Sequence, residues 1–197
     1  MNNHKKGFTL IELLVVIAVI SLLASIILVN ISSMRAKARD AKRILDLKEI
    51  EKGLIIYALD NGTLPTPGDY GRSNVSPGWW TGYWDLSSNT SSGSFLSFLV
   101  ADGIFSEVPV DPVNTPEENG YPGASGYRYV YFVYYKGWIY AGGTCVEDTG
   151  GNGAYLLAIP YLESGRTTFK SPDCSCFWKD IPNFFAGSFD YMLCGTF

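Results

Sequence analysis

Between Phe8 and Ile31 the chain carries a single ionisable side chain, Glu12, inside an apolar run without glycine or proline. At a rise of about 1.5 Å per residue, such a run is long enough to cross a bilayer as one helix. A carboxylate in hydrocarbon costs on the order of 3 kcal/mol on insertion scales, so Glu12 calls for a partner. The plainer account places it at the membrane interface, where it reaches water and is favoured by the positive end of the helix dipole.

Met1 to Gly7 is short, polar and basic, with His4, Lys5 and Lys6. No small-residue cleavage site follows the apolar run, so the hydrophobic segment is expected to stay attached. Beyond Ser33 the polarity rises while helix breakers stay absent. Leu47, Ile50, Leu54 and Tyr57 recur at spacings of three and four and predict an amphipathic continuation, with Gly53 as a weak point. Asn61-Gly62 and Pro65 supply the stop, so a helix from Phe8 to Leu59 would be about 78 Å long. Arg35, Lys37, Arg39, Lys42 and Arg43 form a basic cluster just past the apolar run. They read as a solvated face meeting lipid headgroups, or as partners for acidic residues of a neighbouring copy. Charge counting across the run conflicts with an external head, but the cysteines favour one.

From Gly53 onward six basic residues face fourteen acidic ones, a net charge of -8, which disfavours a nucleic-acid partner. Cys145, Cys174, Cys176 and Cys194 all fall in this region and suggest disulfides in an oxidising compartment. Cys174 and Cys176 are too close to bridge readily, so they are expected to pair with Cys145 and Cys194 in either order; a four-thiolate zinc site is the rival. Residues 60–94 are polar and loop-like, with Trp79, Trp80, Tyr83 and Trp84 as a surface aromatic cluster that packs on itself or contacts carbohydrate. Residues 94–101 predict a short helix ended by Gly103, and Tyr127 to Tyr135 and Ala154 to Glu163 predict strands. A small antiparallel sheet over the Leu47 to Tyr57 helix face gives an α+β fold. Glu147, Asp148 and Asn152, in a glycine-rich loop, are candidate calcium ligands, with an ordinary turn as the alternative. No catalytic set is present: the one histidine, His4, lies in the N-terminal stretch, and GxSxG, HExxH and phosphate-loop patterns are missing.

Lys5-Lys6-Gly7-Phe8-Thr9-Leu10-Ile11-Glu12 resembles the processing signal of type IV prepilins and type II secretion pseudoprepilins. The resemblance implies a leader, 1–7, cut between Gly7 and Phe8 by a prepilin peptidase, and N-methylation of Phe8. It implies a pilin-like lollipop with a transmembrane helix at 8–31, an amphipathic helix at 32–59 and a globular head at 60–197. In such families the acid matching Glu12 pairs with the methylated amine of a neighbouring subunit. Val108-Pro109-Val110-Asp111-Pro112 followed by Tyr127-Arg128-Tyr129 resembles the segment leading into the major pseudopilin sheet. A calcium site in a similar part of those heads bears on Glu147, Asp148 and Asn152. Leu28-Val29-Asn30 stands where many members have Val-Pro-Asn, so local melting of this helix is not expected.

The expected function is a structural subunit, not an enzyme, that forms a homo-polymer through its N-terminal helices. Its partners would be the peptidase, inner-membrane assembly machinery and membrane lipid. Before assembly it would be single-pass with a cytoplasmic N terminus, and afterwards an extracellular or periplasmic filament. A short secretion pseudopilus, a minor tip adhesin and a membrane-anchored protein that never polymerises are the competing readings.

Overall fold

The computed structural model describes residues 7–70, 84–88, 94–115, 126–135, 153–165, 169–170 and 189–197, without the side chains of 26–30, 134, 135 and 170. It divides into two compact units, Met1–Ala38 and Arg39–Phe197. Helix α1, Leu10–Asn61, supplies elements to each, and its backbone stays helical through Leu28-Val29-Asn30.

In the first unit the large apolar side chains from Leu10 to Leu23 are all exposed. Ser21 and Ser25 donate their hydroxyls back to Ile17 O and Leu22 O, which satisfies their polar groups within the helix. Among the described residues no helix is long and apolar enough to cross a membrane. The side chains of 26–30, inside the run predicted to span, lie outside the described residues.

The second unit is α+β. After α1 come a 3-10 turn at Pro67–Tyr70, β1 at Trp84–Leu86, α2 at Ser97–Ala101, β2 at Val130–Tyr135, β3 at Gly153–Ile159, β4 at Phe169–Lys170 and β5 at Tyr191–Thr196. The sheet order is β1-β2-β3-β5-β4. Four strands pair antiparallel, and the two-residue β4 joins β5 in parallel. The predicted strands at Tyr127 to Tyr135 and Ala154 to Glu163 correspond to β2, which starts three residues later, and to β3, which starts one residue earlier and ends four residues sooner. α2 forms as expected, entered through Leu96 in the left-handed region (φ 47°) and left through Gly103 at φ 74°.

Period-2 alternation puts Tyr131, Val133, Tyr155, Leu157, Ile159, Tyr191 and Leu193 on one face, where they form a core with Leu47, Ile50 and Leu54 of α1. This is the arrangement expected for the helix face. The opposite face is also buried, through Trp84, Leu86, Val130, Phe132, Leu156, Ala158, Met192 and Cys194, none of which belongs to the core on α1. Trp84 packs on Phe132 at 4.3 Å and stacks with Phe189 at 6.4 Å. Trp84 is thus a sheet residue and not part of a surface cluster; Trp79, Trp80 and Tyr83 lie outside the described residues.

α1 ends as its sequence predicts. Gly62, at φ 73°, donates its N–H to Ala58 O, the left-handed cap that only glycine forms without a side-chain penalty. Gly53 has a different role from the weakness expected of it, because a Cβ there would collide with the ring of Phe105. Phe105 is held by its N–H bond to Leu99 O, so Gly53 is the notch in which the segment after α2 seats. Replacing Gly53 with alanine raises helix propensity by about 1 kcal/mol, while overpacking costs about 1–3 kcal/mol. Gly53→Ala is expected to lower the thermal midpoint, and adding Phe105→Leu to recover part of the loss. A higher midpoint for Gly53→Ala alone would show that the notch is not used.

Candidate functional site

The N-terminal motif begins in non-helical chain. Gly7 has nothing within 4 Å of the position a Cβ would take, and Phe8 is 86% exposed, so the Gly7-Phe8 peptide precedes the first turn and is open to approach. Thr9 caps the helix. Its hydroxyl accepts the Glu12 N–H at 3.3 Å, while the Glu12 carboxylate accepts the Thr9 N–H at 2.8 Å and the Thr9 hydroxyl at 2.7 Å. This is a reciprocal capping box, in which a residue three positions on satisfies the orphan donor of the cap. The Thr-x-x-Glu spacing carries this signal in the sequence, alongside the interfacial and subunit-pairing roles expected of Glu12. The carboxylate is already engaged within its own turn.

The other predicted site residues are distributed differently. Cys194 is disulfide-bonded and sits in β5, whereas Cys145, Cys174 and Cys176 lie outside the described residues, as do the calcium candidates Glu147, Asp148 and Asn152. Among the described residues no group of acids, histidines and cysteines could hold a metal ion.

A buried ionic cluster occupies the start of the second unit, and it removes Arg43 and part of Arg39 from the solvated face expected of the basic residues. Arg43 has no exposed side-chain surface. It contacts Asp111 through Nε at 2.7 Å and Nη2 at 3.2 Å, Asp40 at 2.8 Å and Glu163 at 2.7 Å. Its guanidinium also lies over the Tyr127 ring, 4.6 Å from the centroid. Arg39 binds Glu163 with two nitrogens, one at 2.7 Å. Lys42 pairs with Asp46, which accepts the Tyr129 hydroxyl at 2.8 Å. Arg35, Lys37 and Lys42 remain exposed.

The carboxylates also hold backbone. Asp40 accepts the N–H groups of Glu163 and Ser164 at 2.9 and 2.8 Å, and Asp111 those of Val113 and Asn114 at 2.8 and 3.1 Å. Asn114, at φ 47°, ties the same loop to β1 through two bonds with Ser87. The Asp111 and Tyr127 signature positions therefore converge on one arginine, 68 residues from Asp111 in sequence. That convergence has no local signal, because it depends on how the loops return to the helix.

Burial opposes the charge on Arg43, but Asp111, Glu163 and Asp40 outweigh it and keep the group protonated. Hydrogen bonds from Arg39, then Arg43, hold Glu163 below the usual carboxylate range. Burial raises Asp40, yet bonds from Ser164, Glu163 and Arg43 prevail and leave it lowered. Burial, reinforced by Asp46, pushes the Tyr129 hydroxyl upward, so it remains a donor. Folded-state values below the unfolded ones mean that this stabilisation is present above about pH 4 and lost as pH falls through the depressed values. Near-ultraviolet circular dichroism of the full chain should therefore show the head losing stability below about pH 4. Asp40→Asn with Glu163→Gln should flatten that dependence; an unchanged acid limb in the double variant would exclude these two groups as its source.

Residues 2–28 match the prokaryotic N-terminal methylation motif. The chain is similar to type II secretion system core protein G of Dickeya chrysanthemi, 38% identical over 66 residues that cover 34% of this chain and 43% of that one. The corresponding Escherichia coli protein is 40% identical over 64 residues, covering 32% and 44%. The type IV wide pilus major component of Thermus thermophilus is 41% identical over 61 residues, covering 31% and 47%. The chain thus spans less than half the length of these curated relatives, and no solved structure matches it. The methylation motif and the partial matches together make the N-terminal third of the chain similar to type II secretion core protein G and a type IV pilus major component.

Proposed function

We propose that the chain is a structural subunit, cut between Gly7 and Phe8, methylated on the new Phe8 amine and polymerised into a filament through its N-terminal helices. The observation that carries this reading is the Gly7 to Glu12 segment. An exposed, non-helical Gly7-Phe8 peptide precedes a capped helix whose first acid stands four residues from the amine that cleavage would create. Before assembly the run 8–31 would span the membrane once with the N terminus in the cytoplasm. In that setting the Thr9–Glu12 capping box keeps the carboxylate hydrogen-bonded. During assembly the amine of another copy would replace part of that bonding, because a carboxylate and an ammonium in a low-dielectric helix bundle are each costly alone and neutralise each other when they meet.

The acidic head would form the filament surface, and a prepilin peptidase and an inner-membrane assembly machine would be the partners. A short periplasmic pseudopilus is the second reading, favoured by the several similar proteins named as type II secretion core protein G. Electron microscopy of shed filaments separates the two, since a surface pilus yields long fibres containing this chain.

Purified mature protein should have the intact mass of residues 8–197 plus one methyl group; a retained leader in mature cells would overturn the processing step. Glu12→Ala should leave the monomer in the membrane while filament yield falls at least tenfold, in line with an unpaired ammonium left in hydrocarbon. Wild-type filament yield from that variant would refute the pairing mechanism.

A further inference from the structure

The ionic cluster joins three segments distant in sequence: the start of the head's share of α1, the loop at Asp111 to Asn114 and the loop at Leu162 to Ser164. It differs in kind from the contacts beside it. Leu47, the first residue of α1 in the apolar core, stands one turn beyond Arg43, and the sheet is held by its own ladder. Neither loop contributes to that ladder in the regions that touch Arg43. Leu162 enters the apolar core, whereas Asp111 to Asn114 and Glu163 to Ser164 are fastened to α1 by charge and by four backbone N–H groups bonded to Asp40 and Asp111.

We infer that this cluster is a discrete latch, opening as one unit to free both loops from α1 while the sheet and its apolar core stay folded. Arg43 is its hub, because among the described residues it alone touches all three carboxylates, Asp40, Asp111 and Glu163. Removing the hub leaves those acids facing one another, with Arg39 bound to one of them, and their repulsion opens the two loops together. The apolar layers lack charge and are indifferent to that loss. The grip of the head on its helix then has a boundary at Arg39 to Arg43 that releases separately from the rest, a local opening of lower free energy than global unfolding. The inference stands on the head alone and does not depend on filament formation.

Hydrogen exchange on the full chain in detergent tests it directly. The reporters are the amides of Val113, Asn114, Glu163 and Ser164, and the controls are Leu156, Leu157 and Leu193 in the centre of the sheet. In Arg43→Met all four reporters should exchange on the order of 100-fold faster, the size expected for breaking a buried ion pair, with the controls unchanged. Glu163→Gln, which keeps the side-chain volume and spares the Asp111 contact, should accelerate all four by a smaller common factor. Equal acceleration of reporters and controls, or failure of Arg43→Met to fold, would overturn the inference, since the sheet would then depend on the latch. Acceleration of Glu163 and Ser164 alone in Glu163→Gln would also overturn it by showing two independent ties.

Discussion

The head is organised by a guanidinium that has no surface in water. Burying such a charge is tolerable only when opposite charges and hydrogen bonds surround it, and Arg43 obtains these from its own helix and from two loops that return to α1. The requirement runs both ways. Asp111 and Asp40 spend their remaining lone pairs on backbone N–H groups of the same loops, so the arginine fixes loop conformation as well as loop position. Asn114 carries that order to β1 through Ser87, and Asp46 carries it to Tyr129 at the entrance of β2.

Apolar burial then provides most of the stabilisation, and it does so on both faces of the sheet. One face packs on Leu47, Ile50 and Leu54, while the other is closed around Trp84, Phe132 and Met192. A sheet with one wet face would show alternating polarity along its strands. Here Gly153-Ala154-Tyr155-Leu156-Leu157-Ala158-Ile159 is buried at every position, as expected for a strand covered on both sides. The second layer places Cys194, with its disulfide, on the face away from α1.

Much of this was legible before any coordinates. α1 and its stop at Asn61-Gly62 followed from helical periodicity and the left-handed preference of glycine. β2 and β3 followed from runs of aromatic and branched residues. β1 and β4, with three and two residues, are too short to display a period, and the apolar pattern of β5 is interrupted by Gly195 and followed by Thr196. Gly53 was misread because helix propensity describes an isolated helix, whereas its value here is the space it leaves for Phe105. Arg43 leaves the solvated basic face for a similar reason. Charges near a membrane run look solvated until distant carboxylates return to meet them.

The sequence by itself determined the local chemistry at the N terminus: the Gly7-Phe8 peptide, the apolar run and an acid three residues after a threonine. Each of these depends on neighbours within one or two turns of helix, where spacing and residue type decide the outcome. Only the tertiary structure decided that Trp84 is interior and that Arg43 joins Asp111 and Glu163. Those outcomes arise from side chains tens of residues apart competing for the same buried space, and from rotamers that close a ring of hydrogen bonds, neither of which is written in periodicity or composition.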